Sequence, residues 1–240
     1  MGRGLAADLK EAAALVLAGQ VLSGDTLLEK PGQRLRPDVP LRVRGRKVFA
    51  SRAGVKLEAG LVASGLDVEG LFCLDLGAST GGFTDCLLRR GAARVLAVEK
   101  GHGQLAWALA QDPRVESRER CDALALRAKD LGALPAFICA DLSFTSCRPF
   151  FPVLRRLLAP CGAWMMLVKP QFEAAPGEVA AGGVVRDAGL RQRALDEARA
   201  AAAAAGLEPW GHLESPLAGA QGNREWLLWG STPRGLTIYR

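Results

Sequence analysis

Residues Cys73 to Thr84 read as an apolar strand, a glycine-punctuated turn and the start of a helix, and no other stretch narrows the fold so far. From Leu71 to Leu76 the strand is apolar except for Asp75, the pattern of a parallel strand covered on both faces. Gly77, Gly81 and Gly82 let the backbone turn sharply and approach a ligand closely. Ligand crevices in open α/β sheets lie beyond the carboxyl ends of such strands. The turn lacks the Gly-x-Gly-x-x-Gly spacing of dinucleotide sites, and no Gly-Lys-Ser/Thr follows to cradle a triphosphate. A different nucleoside-containing cofactor is therefore favoured.

The remaining punctuation extends this reading. Leu5 to Leu22 is expected to be a helix, with Leu9, Ala12, Ala13, Val16 and Leu17 at helical spacing and Gly19 as its stop. Short strands are expected around turns at Ser23–Asp25, Lys30–Gly32 and Arg36–Asp38, giving a small α+β module over residues 1–47. A helix over Ala53 to Ser64 leads into the second part, residues 48–240. Strands are expected near 71–76, 94–99, 114–117, 136–141, 163–169, 209–214 and 225–230, and helices near 82–90, 103–110, 126–131, 147–158 and 188–205. Such alternation predicts an α/β fold, a Rossmann-like parallel sheet with right-handed crossovers. The last two strands have no helix between them, so the final strand is expected to run antiparallel.

Charge distinguishes the two parts. Residues 1–56 hold 11 Lys/Arg against 5 Asp/Glu, while residues 57–240 hold 20 of each, so the net +6 sits in the first quarter. Arg42, Arg44, Arg46 and Lys47 form its densest run, with Arg34, Arg36 and Arg52 around it, read as a polyanion-binding patch with a solvated charged face or linker as the alternative. Six cysteines show no Cys-x-x-Cys pair, and with only two histidines neither a metal site nor a disulfide is expected. No apolar run reaches the roughly 18 to 20 residues that span a bilayer, and the N-terminus shows no signal-peptide core. A cytoplasmic protein without membrane partners is the expectation.

Five stretches together resemble the TlyA family of ribosomal RNA methyltransferases: Ser51–Leu57, Asp75–Asp85, Val168–Glu173, Gly182–Asp187 and Gly222–Glu225. The resemblance runs over nearly the whole chain. It implies an S4-like RNA-binding module over 1–47, lacking its first helix, and an FtsJ-like, S-adenosylmethionine-dependent methyltransferase domain over 48–240. The activity it implies is methyl transfer to a ribose 2′-hydroxyl of ribosomal RNA, although some members have been labelled haemolysins. Two departures stand out. Ala181 replaces the family's usual lysine, and Arg52-Ala53-Gly54 stands where two glycines are usual.

Site roles combine strand ends with this resemblance. Backbone groups of Gly77, Ala78, Ser79, Thr80, Gly81 and Gly82, with Phe83, are expected to hold the methionine part of the cofactor. Asp75 would orient its ammonium group directly or through the turn, Glu99 would bind the ribose hydroxyls, Asp122 would meet the adenine, and Asp141 would border the same site. Lys56, Asp141, Lys169 and Glu225 match the family's 2′-O-methyltransfer tetrad. A ribose hydroxyl is a poor nucleophile until its proton is removed, and Lys169 is read as the base. His102 is a weaker choice for that role, and Trp107, Trp164, Trp226 and Trp229 are read as core. The competing functions are a nonenzymatic ribosome-assembly factor and a membrane-active haemolysin. The target nucleotide, the subunit that carries it and the oligomeric state stay open.

Overall fold

The computed structural model describes residues 6, 9–23, 26–35, 39, 41–43, 49–175, 177–180 and 182–233. Leu5, the turn residues Gly24, Asp25 and Arg36 to Asp38, the basic Arg44, Arg46 and Lys47, the Arg42 side chain, and Ala181 lie outside the described residues. The chain divides into two compact units, residues 1–47 and 48–240.

In the first unit, helix α1 (Leu9–Leu17) precedes strands β1 (Val21–Ser23), β2 (Thr26–Leu27) and β3 (Leu41–Val43). They form an antiparallel sheet in the order β2-β1-β3. The helix expected to reach Leu22 ends five residues earlier, at Leu17. Gly19 is the cause. At φ 64 it donates to Val16 O while Gln20 donates to Leu15 O, which turns the chain out of the helix and frees Val21 and Leu22 to be buried in β1.

The second unit runs α2 (Ala53–Ser64), β4 (Phe72–Leu76), α3 (Gly82–Arg89), β5 (Arg94–Val98), α4 (Trp107–Ala110), β6 (Val115–Arg118), β7 (Phe137–Ala140), α5 (Phe151–Leu157), β8 (Ala163–Val168), α6 (Pro170–Glu173), α7 (Ala188–Ala204), β9 (Glu208–Glu214) and β10 (Trp226–Ser231). Its seven strands form one sheet in the order β6-β5-β4-β7-β8-β10-β9. Strands β4 to β8 are mutually parallel, and β10 is antiparallel to both its neighbours.

Successive strand side chains point to opposite faces, which sorts the core into two layers. Cys73, Val95, Phe137, Cys139, Met165 and Leu167 pack on the side of α2 and α3, with Leu57, Leu61, Phe83 and Leu87. Leu74, Leu96, Ile138, Trp164, Met166 and Leu228 pack on the side of α5 and α7, with Phe151, Leu154, Leu195 and Ala198. Helix on both faces is the doubly wound arrangement read from the alternation. At its start, α2 is pressed onto the start of α3. A Cβ on Gly54 would stand 2.7 Å from the Gly82 carbonyl oxygen, so glycine permits the approach.

Two expected helices shrink. The one expected over 103–110 begins only at Trp107, because the Glu119 carboxylate takes the backbone N–H groups of Gly103 (2.7 Å) and Gln104 (3.2 Å). The one expected over 126–131 is reduced to a 3₁₀ turn over Ala128–Asp130, where Asp130 accepts from the Arg127 N–H. Trp107 also departs from its expected place in the core: it is 78% exposed. Leu109 fills the inward position of the short α4, so Trp107, two residues earlier, faces outward.

Candidate active site

The site is built around the carboxyl edge of β4, β7 and β8. Gly77 follows β4 with φ +81, and a Cβ there would stand 2.7 Å from the Asp141 carbonyl oxygen. Only glycine lets the turn pass so close to the end of β7. Ser79, at φ 48, is a non-glycine residue in the left-handed region, a strain held by its surroundings. Its N–H donates to Glu99 Oε2 at 2.9 Å, and its hydroxyl lies 3.2 Å from Gln104 Oε1. Gly101 N–H donates to the other Glu99 oxygen at 2.8 Å. Glu99, one residue past β5, is thus fixed to the turn while both carboxylate oxygens keep lone pairs for a further donor.

Asp75 sits beneath this turn, fully buried. Thr84 Oγ1 of α3 donates to its Oδ2 at 2.7 Å, and Cys139 Sγ lies 3.9 Å from its Oδ1. Burial drives its carboxyl up to about 7; the Thr84 bond opposes the rise, and the charges of Asp141 and Glu99 add to it. So buried a group lines neither cleft beside the tetrad, and its hydrogen bond runs to Thr84 of α3. Asp122 is exposed and accepts from Leu124 N–H at 2.9 Å, capping the 3₁₀ turn that follows. Among the described residues, neither Glu99 nor Asp122 lines the clefts beside the tetrad.

The tetrad residues converge. Lys169 follows β8 directly, and the β8–β10 register pairs Val168 with Trp226, so the next positions out, Lys169 and Glu225, lie across from each other at the site edge. Lys56, one turn into α2, forms a buried ion pair with Glu225. Lys169 Nζ is 2.6 Å from Asp141 Oδ1 and donates to Ser143 Oγ at 3.0 Å. Glu225, Lys56 and Lys169 are 2%, 7% and 9% exposed, so their charges are held by partners more than by water.

Two clefts meet at these side chains. One, of about 260 Å³, is lined by Gly77, Ala78, Ser79, Thr80 and Phe83 of the turn, by Ser51, Arg52, Ala53 and Lys56, and by Asp141, Ser143 and Gly219. The other, of about 300 Å³, is lined by Lys56, Ser143, Phe144, Lys169, Gln171, Phe172, Val179, Gly183, Gln221, Asn223 and Glu225. Lys56 and Ser143 belong to both. Phe144 is 90% exposed, and its ring lies 5.6 Å from that of Phe172. Asn223, buried, accepts from Val185 N–H at 2.9 Å and donates to the Gly183 carbonyl at 2.8 Å, which fixes the outer wall. A larger cleft of about 430 Å³, lined by residues such as Leu61, Leu66, Arg89 and Gly91, is at the opposite, amino edge of β4, away from the glycine turn.

Sequence reasoning missed Ser143, Ser51 and Gly219. Ser143 carried a usable signal, since it lies two residues past a strand-terminal aspartate at the site edge. Gly219 carried none, because its place beside Glu225 depends on the fold of the β9–β10 loop. His102, exposed between Gly101 and Gly103, lines neither cleft. Among the described residues no group of three or more His, Cys, Asp or Glu side chains could hold a metal ion. Burial raises the Cys73, Cys86, Cys139 and Cys147 thiols, which keeps them protonated and unreactive. No described helix is long and apolar enough to cross a membrane.

Comparison with known proteins finds relatives along most of the chain. A 16S/23S rRNA (cytidine-2′-O)-methyltransferase, TlyA of Mycobacterium tuberculosis, is 41% identical over 229 residues, spanning 95% of this chain and 85% of its own length. Hemolysin A of Brachyspira hyodysenteriae is 38% identical over 219 residues, 89% of each chain. Among solved structures, a hemolysin-named protein of Streptococcus thermophilus superposes with a TM-score of 0.76 at 36% identity, covering 95% of this chain and 84% of that one. An S-adenosylmethionine-dependent methyltransferase of Mesorhizobium loti, at 18% identity and a TM-score of 0.51, shares the fold. The family model for FtsJ-like methyltransferases matches residues 49–232, and with these relatives it shows that the chain belongs to the FtsJ-like methyltransferases, as an S-adenosylmethionine-dependent enzyme of the TlyA type.

Proposed function

We propose that the enzyme transfers a methyl group from S-adenosylmethionine to a ribose 2′-hydroxyl of ribosomal RNA, with Lys169 taking the hydroxyl proton. The observation that carries this reading is the pair of clefts meeting at Lys56 and Ser143, one floored by the glycine turn and the other holding Lys169 and Glu225. One cleft suits the donor and the other the acceptor. The turn fits the cofactor: Gly77, Ala78, Ser79 and Thr80 line the donor cleft, while Gly81 and Gly82 are buried behind them, and Glu99, anchored by two N–H groups, keeps acceptor capacity for ribose hydroxyls. The bound cofactor supplies a sulfonium methyl already activated for transfer.

The chain's own residues do the rest. Asp141 and Ser143 hold the Lys169 amine at the acceptor side, and the Lys56–Glu225 pair fixes the opposite wall. Fixed placement is worth as much as basicity here, since a positioned base contributes on the order of 10² to 10⁴ in rate and alignment of the reacting atoms can add more. Phe144 and Phe172 give the acceptor cleft an aromatic wall for a nucleotide base unstacked from its neighbours. The basic first quarter, with residues 1–47 as an S4-like module, serves as the RNA-docking part, and its long-range attraction weakens with salt. A cytoplasmic site of action follows from the substrate.

Nucleoside analysis tests this reading. The full-length protein is incubated with methyl-labelled S-adenosylmethionine and unmodified small or large ribosomal subunits, and the RNA is digested to nucleosides. The expected label is in a 2′-O-methylnucleoside. Label on a base overturns the hydroxyl reading, and cofactor binding without transfer to either subunit favours an assembly factor.

A further inference from the structure

Ser143 is the residue that the tetrad leaves unexplained. Its hydroxyl accepts from Lys169 Nζ at 3.0 Å, and it shares the wall between the two clefts with Lys56. Lys56 is committed to its ion pair with Glu225, and an ammonium offers three donors and no acceptor. A serine hydroxyl both accepts and donates, so it can pass one proton on as it takes another.

Exposure points the same way. Ser143 is exposed, whereas the Lys169 side chain is 10% exposed and lines only the acceptor cleft. An acceptor hydroxyl brought to the wall that the two clefts share lies against Ser143, whose Oγ is 3.0 Å from Nζ. Asp141 does not offer that route. Its Oδ1 pairs with Lys169 Nζ at 2.6 Å and it lines only the donor cleft, whereas Ser143 lines both.

We infer that Ser143 is a catalytic residue that relays the proton from the ribose 2′-hydroxyl to Lys169. This rests on the reading of Lys169 as the proton acceptor. With Lys169 as the neutral amine and the Ser143–Lys169 bond donated from Oγ, the ribose O–H bond breaks as its proton passes to Ser143 Oγ, and the Ser143 O–H bond breaks as the serine's own proton passes to the lone pair of Lys169 Nζ. The ribose oxygen then bonds to the methyl carbon, and the carbon–sulfur electron pair leaves on sulfur as a neutral thioether. Serine ends as it began, and the proton rests on Lys169 until solvent removes it.

The test uses the full-length protein, methyl-labelled S-adenosylmethionine and unmodified ribosomal subunits. Ser143→Ala is expected to lower kcat on the order of 10²-fold while leaving the KM for subunits and the cofactor Kd within about twofold. Ser143→Thr, which restores a hydroxyl, is expected to recover most of the loss. Single-turnover rates of the wild type in mixtures of light and heavy water should curve as two protons in flight require, and those of Ser143→Ala should be linear. The relay is overturned by a Ser143→Ala enzyme of near wild-type kcat, by a threonine variant no better than alanine, by a linear wild-type response, or by loss of cofactor binding in Ser143→Ala. The base assignment fails separately. Lys169→Ala with normal turnover removes both ideas, whereas an inactive Lys169→Ala beside an active Ser143→Ala removes the relay alone.

Discussion

Asp75 shows how a single residue ties stability to the site. Its carboxyl is buried beneath the cofactor turn and driven up to about 7, chiefly by loss of water. The folded protein therefore keeps a proton that the unfolded chain has released. Since the native state binds more protons between the unfolded value near 4 and the folded value, stability falls as pH rises through that window, by at most about 1.4 kcal/mol per unit. Asp75→Asn is expected to flatten this slope. Urea melts at intervals between about pH 4 and about pH 7 check it, and an unchanged slope in the variant would show that Asp75 is not its source. Lys56, Lys169 and Glu225 were legible because each stands in a recognisable motif, and Asp141 because it ends an apolar strand; the ion pairs that join them are what the coordinates add. Ser143 carried a strand-end signal two residues past Asp141, but its hydrogen bond to a lysine 26 residues away is visible only in the fold.

Register explains much of what was readable among the elements. An apolar β8 followed by lysine and an apolar β10 preceded by glutamate already implied, if antiparallel, that the two charges meet at one edge, and the Val168–Trp226 pair does this. The short helices were less readable, because side chains distant in sequence decide them. Glu119 takes the N–H groups that would begin the helix expected at 103, and no local pattern reveals that carboxylate. Glu173 does comparable work between two elements. On α6, buried, it accepts from Ser146 Oγ (2.6 Å), Cys147 N–H (2.6 Å) and Arg148 Nε (3.1 Å), clamping the loop that carries Asp141 and Ser143 to the helix beside Lys169. Glu173→Gln removes the charge that all three donors share. It should lower stability by about 2 kcal/mol and lower kcat with little change in cofactor Kd, read from urea melts and single-turnover rates. Equal losses in kcat and cofactor affinity would place the clamp elsewhere.

At the scale of the whole molecule, alternating apolar strands and helices fixed the architecture in advance, because a parallel sheet covered on both faces leaves little freedom in how it is wound. The extent of the first unit's helix and the outward face of Trp107 did not follow from that logic, since each depends on how one residue packs or turns. The excess positive charge lies in the first 56 residues, which include Lys56, and the other three tetrad residues, Asp141, Lys169 and Glu225, lie in the neutral remainder. Convergence of the four charged side chains on one rim is the claim on which the enzymatic reading turns. The most direct test compares wild type with Lys169→Ala, measuring cofactor affinity by calorimetry and single-turnover methyl transfer to unmodified ribosomal subunits on the same preparations. Cofactor Kd should stay within about threefold while transfer falls by at least about 10²-fold; transfer at near wild-type rate would contradict the account.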